Sequence, residues 1–309
     1  MKVLVLGGKG FIGRYVVRAL AATGSEVSIG TRHAKAENEH ALILHQRTRT
    51  EHWCQTITPF DTVVNCVGIL RERWGEHYAD VYHHAPTAIA QACAAQGKRF
   101  IHITALGLHA QASSGFLTAK LAGEAAIRMT GGEACIVRPS LLDGPDGFGS
   151  RWLRRVAQWP VHFVPADANG ALAPLDVNDL GDAIAALCTC PRDALPASVD
   201  LGGETHYDLR QYLKALRTRP TAAFTLPVPA WMVRVAAHAL DVLHMTPLSW
   251  GHVELMRRDN APRAEDAYAL RQWLGRAPKH VGLRIAESPA IAANANADAV
   301  SAETDAARA

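Results

Sequence analysis

The chain has 309 residues, 49% hydrophobic and 20% charged, enough to bury one large core or two modest ones and ordinary for a soluble protein. The formal net charge of +3 is small, and no run of Lys or Arg concentrates it. Charge therefore gives no case for a nucleic-acid or membrane partner, and small molecules are the expected ligands.

Four apolar residues follow Met1-Lys2 before the first glycines, too short a run for a signal peptide or a membrane span. The segment reads as a strand, Lys2–Leu6. It is followed by a helix over Phe11–Ala22 and strands at Glu26–Gly30, Thr62–Val67, Arg99–Thr104 and Ala134–Arg138. Helices are predicted between them at Glu76–Gln96 and Thr118–Met129, with apolar positions three and four apart. Short apolar strands alternating with helix-period segments predict an α/β fold, a Rossmann-type doubly wound parallel sheet.

Beyond Pro139 the rhythm breaks at Asp143-Gly144-Pro145-Asp146-Gly147, a cluster of turn residues. A helix near Trp152–Trp159 and a strand Val161–Val164 follow. The helix after Asp176 and the strand Val199–Leu201 return to the sheet, while Tyr207–Arg217, Trp231–Leu243 and His252–Arg257 read as helices of a small C-terminal, α-rich substrate lobe. Residues 1–285 would then form a nucleotide-binding domain with this lobe interleaved at about 145–175 and 202–285. From about Glu287 to 309 the chain has no aromatic residue and no apolar periodicity, which predicts a disordered tail.

The chemistry concentrates at Gly7-Gly8-Lys9-Gly10-Phe11-Ile12-Gly13, between the first strand and the first helix. One glycine suits a tight turn, one lets a pyrophosphate approach the backbone, and one allows close helix packing. The helix N-terminus offers free N–H groups and the positive end of its dipole to an anion. The second strand ends Ser28-Ile29-Gly30-Thr31-Arg32-His33 without the acidic residue that NAD-preferring sites place there. Gly30 leaves room and Arg32 suits a 2′-phosphate, so NADP(H) is favoured over NAD(H). Lys9 reads either as a second phosphate contact or as a solvated side chain.

Other clusters read more plainly. The six cysteines contain no CxxC pair and read as reduced thiols of a cytoplasmic protein. His77, His83 and His84 lack a carboxylate in ligand spacing, so no metal site is expected. Trp152, Trp159, Trp231 and Trp250 could line a pocket for a flat apolar ligand, although core packing is the commoner role of such residues. The Pro227–Val235 segment opens a weakly charged helix that fits either packing on the nucleotide-binding domain or lying on a membrane surface.

Taken in order, the glycine turn, Val63-Val64-Asn65-Cys66-Val67-Gly68-Ile69-Leu70, Arg99-Phe100-Ile101-His102-Ile103-Thr104-Ala105-Leu106-Gly107, Lys120 with Gly123-Glu124, Val137-Arg138-Pro139-Ser140, Pro174-Leu175-Asp176-Val177-Asn178-Asp179 and Arg258-Asp259-Asn260 carry a family resemblance. The chain resembles the short-chain dehydrogenase/reductase superfamily over about Met1 to Gly275. The branch is the extended, atypical one, similar to NAD-dependent epimerase/dehydratase-like proteins and to the nucleotide-binding accessory subunit of respiratory complex I.

The resemblance implies cofactor contacts at Gly7, Lys9, Gly10, Phe11, Ile12, Gly13, Arg32, Val67, Gly68, Thr104, Lys120 and Pro139, and catalytic positions at Thr104 and Lys120. Working members carry a proton-exchanging tyrosine four residues before the lysine; here that position is Phe116, and a phenyl ring exchanges no proton. The implied function is a nucleotide-bound accessory or assembly factor linked to respiratory or quinone metabolism. The alternative is an NADPH-dependent oxidoreductase of a small or isoprenoid carbonyl, with the proton donor relocated to Thr104 or Tyr82. A quinone, an isoprenoid or a respiratory complex are the candidate partners, with a cytoplasmic location, peripheral at the inner face of the membrane.

Overall fold

A computed structural model describes residues 1–243 and 249–282, leaving aside the side chains of 238–243. The segment 287–309 lies outside the described residues. Strand β1 (Lys2–Leu6) buries Val3 through Leu6 almost completely, as a strand covered on both faces must. Helix α1 (Phe11–Ala22) turns Tyr15, Val16, Ala19 and Leu20 inward. Strand β2 is Glu26–Thr31 and a three-residue edge strand, β3, is Glu39–Ala41. Helix α2 is Glu51–Ile57, β4 is Thr62–Asn65, α3 is Ala85–Ala95, β5 is Arg99–Ile103, α4 is Gly115–Arg128 and β6 is Ala134–Pro139.

The remaining elements are β7 (Leu142–Asp143), α5 (Phe148–Ala157), β8 (Val161–Pro165), β9 (Leu175–Asp176), α6 (Val177–Thr189), β10 (Ser198–Leu201), α7 (Leu209–Ala215), β11 (Phe224–Val228), α8 (Ala230–Leu243), α9 (Trp250–Met256) and α10 (Ala269–Leu274). The main sheet is parallel throughout, in the order β10-β6-β5-β4-β1-β2-β3. Strand order reverses between β1 and β4, the crevice where doubly wound sheets receive ligands at the carboxyl ends of their strands. One apolar layer packs α1, α6 and α10 on one face of the sheet; the other packs α2, α3 and α4 on the opposite face. A separate core draws on Leu153–Leu172 and Tyr207–Leu216, and that lobe overhangs the crevice.

Several boundaries differ from the sequence reading for local reasons. The strand expected over Thr62–Val67 stops at Asn65, whose Oδ1 accepts the Val67 N–H at 3.1 Å and turns the chain out of the sheet. The helix expected over Glu76–Gln96 begins later: Arg73 and Glu76 pair across a turn with Gly75 at φ +73°, and residues Asp80–His84 form a π-helical turn before α3. Helix α4 starts earlier than Thr118 because Ser114 Oγ accepts the Leu117 N–H as its N-cap, a standard way of meeting a first-turn donor. Strands β3 and β11 and helix α2 escaped the pattern, since Glu-His-Ala is too short and polar to alternate and α2 buries only Trp53 and Ile57.

Candidate functional site

The glycine turn is built as its spacing predicts. Gly7 stands at φ +73°, its carbonyl accepts the Gly10 N–H at 2.8 Å, and a Cβ on Gly13 would fall 2.2 Å from Gly7 O. The left-handed conformation and the close approach both demand glycine. Helix α1 therefore starts hard against the end of β1, with no side-chain cap and no acid in its first turn. Its leading N–H groups face a cavity of about 650 Å³ that includes Gly7, Lys9, Gly10, Phe11 and Ile12 in its wall. Gly13 lies behind that wall.

Arg32, Val67, Gly68, Thr104, Lys120, Phe116 and Pro139 line the same cavity, brought together from the ends of β2, β4, β5 and β6 and from α4. Among the described residues the one carboxylate in the wall is Glu76, whose Oε1 is 3.5 Å from His45 Nδ1. Arg32 is exposed and makes no hydrogen bond or ion pair among the described residues. Lys9 and Gly30 both line the cavity and each has a close protein neighbour. Lys9 donates to Glu39 Oε2 at 2.7 Å, so its ammonium is held by a carboxylate of β3. A Cβ on Gly30 would stand 2.6 Å from Leu6 Cδ2, so packing beneath the strand also requires glycine there.

Phe116 and Lys120, four apart, share one face of α4. Lys120 is buried, with Nζ 4.2 Å from the centre of the Tyr82 ring and 5.2 Å from that of Phe116. Burial brings its pKa down to about 8, against the pull of Glu124. The aromatic faces recover part of the lost hydration. Below it, His102 is within 3.2 Å of the Asn65 amide, and burial with the nearby Lys120 charge holds its pKa at about 3.

Both hydroxyls expected to stand in for the phenol are hydrogen-bonded to protein partners. Thr104 Oγ1 donates to Glu124 Oε1 at 2.6 Å, and a hydroxyl has one proton to give. Tyr82 donates to Ile69 O at 2.5 Å while accepting the Ile69 N–H at 2.7 Å, and burial raises its pKa well above the usual phenol value. The group that local spacing missed is His252 on α9. Its ring lies 5.3 Å from the Phe116 ring, Ser249 Oγ is 2.6 Å from its Nδ1, and it lines the cavity. Asn260 also enters the wall, held by its Nδ2 donation to Leu106 O at 2.7 Å. Both lie more than 130 residues from Lys120 in sequence, beyond the reach of any periodicity.

None of Trp152, Trp159, Trp231 and Trp250 is among the cavity residues. Trp250 packs against α8 and donates to Ser113 Oγ at 3.2 Å, and Trp152 joins the lobe core. The aromatic wall comes from Phe11, Phe116, Phe148 and Tyr82 instead. His83 and His84 stack at 4.6 Å, and among the described residues no three His, Cys, Asp or Glu side chains gather as metal ligands.

A family model described as the NAD dependent epimerase/dehydratase family matches residues 3–201. Mouse NADH dehydrogenase [ubiquinone] 1 alpha subcomplex subunit 9, mitochondrial, is 30% identical over 243 residues, covering 72% of this chain and 63% of that protein. The ceramide reductase of Caulobacter vibrioides is 25% identical over 194 residues, 61% of each chain. The chain spans about half to two thirds of the length of the curated relatives it matches. A UDP-glucuronic acid 4-epimerase from Bacillus cereus, solved with UDP-glucuronic acid and NAD, superposes with a TM-score of 0.64 over 92% of this chain and 96% of its own at 14% identity, a likeness of fold.

Proposed function

The chain belongs to the NAD-dependent epimerase/dehydratase family, and from that premise we propose that it is an NADP(H)-holding, atypical member lacking the usual catalytic tyrosine. The observation carrying this reading is the cradle: Gly7 and Gly13 press α1 onto the end of β1 at the crevice, and the cavity there is poor in acid. The first-turn N–H groups of α1 would hold the pyrophosphate, Arg32 the 2′-phosphate and Lys120 the ribose. A bound nicotinamide supplies or accepts a hydride. Arg32, exposed at the wall and unpaired among the described residues, supports NADP(H) over NAD(H).

With Phe116 in the tyrosine's place and the Thr104 and Tyr82 hydroxyls committed, the reading is an accessory or assembly factor linked to respiratory or quinone metabolism. The relatives among complex I subunits support that link. The apolar stretch of the cavity around Leu42, Ile43, Leu44, Ile69, Leu255 and Met256 suits a quinone or isoprenoid chain beside the nucleotide. The exposed side chains Trp231, Met232 and Val235 of α8 support a peripheral position at the inner face of the membrane in the cytoplasm.

One observation favours a second reading, an oxidoreductase of a small or isoprenoid carbonyl. His252 brings an imidazole to the wall beside Phe116, and histidine is the side chain best suited to proton exchange near neutral pH. Mass spectrometry of molecules released from the denatured, purified chain tests the main reading. NADP(H), alone or with a quinone, is expected; recovery of NAD(H) alone removes the cofactor assignment, and steady turnover of NADPH with a carbonyl removes the accessory role.

A further inference from the structure

The small overall charge conceals a division of charge within the fold. Segments 147–166 and 209–240 contain eight Arg and Lys and no Asp or Glu, where the chain's 29 acids in 309 residues would place about five. These segments build α5, β8, α7, β11 and residues 230–240 of α8, and they end next to Asp146, Asp167, Asp208 and Asp241. In the parallel pair β8–β11, Val161 is in register with Phe224 and Phe163 with Leu226. Those side chains share the face opposite buried His162 and Val164. Phe163 is 56% exposed, Phe224 68% and Trp231 68%. Trp159 is also exposed, beside Pro160, whose carbonyl accepts the Phe224 N–H at 2.9 Å.

Helix α8 continues the apolar surface. It packs Val233 and Ala237 against Trp250 and Val253 of α9 and leaves Trp231, Met232 and Val235 exposed. Cations adjoin these side chains. Thr218 donates twice to Gln158 Oε1 at 3.1 Å, which ties the segment carrying exposed Arg219 to the end of α5, where Arg155 and Trp159 are exposed.

We propose that this face docks on an anionic lipid bilayer. Exposed aromatic and aliphatic side chains suit the interfacial depth of a membrane, and neighbouring arginines are drawn to its negative surface. A contiguous apolar surface of this kind marks an interaction site. The exposed Arg155 and Arg219 beside these apolar side chains, with no acid within either segment, favour a negative plane as the partner. This inference rests on the peripheral placement proposed above and is independent of the cofactor. Helix α9 links the face to the cavity, since Trp250 and Val253 support α8 while His252, Leu255 and Met256 line the cavity wall.

Flotation of the full chain with phosphatidylcholine vesicles, with and without phosphatidylglycerol, at low and high salt tests the docking. Binding at least about tenfold stronger with phosphatidylglycerol and weakened by salt is expected. Arg155→Glu with Arg219→Glu should lower it about tenfold, and Phe163→Ser with Trp231→Ser should lower it at both salt concentrations. Circular dichroism and NADPH affinity, unchanged in these variants, would separate lost docking from lost folding. Indifference to phosphatidylglycerol, or full binding by the charge-reversed variant, overturns the proposal. A dimer broken by the Ser variants without vesicle binding, or binding to an acidic polypeptide alone, assigns the face to a protein and also overturns it. Salt-releasable recovery with cell membranes, without binding to vesicles, keeps the peripheral placement and overturns lipid docking.

Discussion

Thr104 Oγ1 donates a 2.6 Å hydrogen bond to Glu124 Oε1, and this one bond ties the floor of the cavity to a buried charge cluster beneath it. The Glu124 carboxylate also receives Nε and Nη2 of Arg138, at 2.6 to 3.1 Å, and Nη2 of Arg128 at 2.9 Å, while Arg138 reaches Asp200 at 3.3 Å. A residue that lines the site is thereby fixed by the packing of β6 on α4.

Glutamine keeps the shape of Glu124 but leaves half-buried Arg138 with Asp200 as its remaining carboxylate partner, so Glu124→Gln should cost about 1.5–3 kcal/mol in urea unfolding at pH 7. Burial pushes the Glu124 carboxyl up, but the bonds from Arg138, Thr104 and Arg128 outweigh it and hold the pKa below its ordinary 4.5. Its contribution to stability is thus full above pH 4.5 and lost as pH falls through the depressed value. The gap between native and variant should narrow only in that acid window; an equal gap at every pH assigns the loss to packing.

Lys120 carries the opposite sign. Its pKa falls from 10.5 to about 8, so the folded state resists the charged form, and this cost is complete below pH 8 and disappears above 10.5. Lys120→Met should raise stability by about 3 kcal/mol at pH 7, with the gain shrinking between pH 8 and 10.5, while NADPH binding falls at least tenfold. Differential scanning calorimetry and titration calorimetry across that range check both halves. A variant less stable at pH 7 than the native chain would show that the Tyr82 and Phe116 ring contacts dominate.

Arg32→Ala should weaken NADPH binding by about 1.5–3 kcal/mol and leave NADH nearly untouched, the range for hydrogen bonds to a charged group. Titration calorimetry with both cofactors reads the difference. Equal losses would show Arg32 supporting the loop after β2.

Phe116→Tyr restores a phenol one turn from Lys120. The native chain should show little single-turnover NADPH oxidation with generic aldehydes or ketones, and the variant a measurable rate if a carbonyl reaches the nicotinamide, because the ammonium beside the ring lowers the new phenol's pKa. Native turnover that His252→Gln abolishes at unchanged NADPH affinity would instead identify an enzyme using the imidazole.

The sequence by itself determined the parts whose causes are local. The four-residue apolar run of β1, the glycine turn and the 3.6-residue spacing of α1 are each complete within 22 residues, and the structure places β1 and α1 at the bounds read from them. Alternating strand and helix signals likewise sufficed for a parallel sheet, since strands without hairpin turns must cross over through helices. The spacing of Phe116 and Lys120 put both on one helix face. What the tertiary structure decided is which side chains remain available once distant partners have met. Thr104 donates its hydroxyl hydrogen bond to Glu124, twenty residues away; Lys9 is held by Glu39, and Tyr82 by Ile69. His252 reaches Phe116 only because α9 folds back over α4, and an exposed aromatic surface assembles from two segments that are distant in sequence. Hydrogen-bond commitment and surface charge depend on proximity in space, and one-dimensional periodicity carries neither.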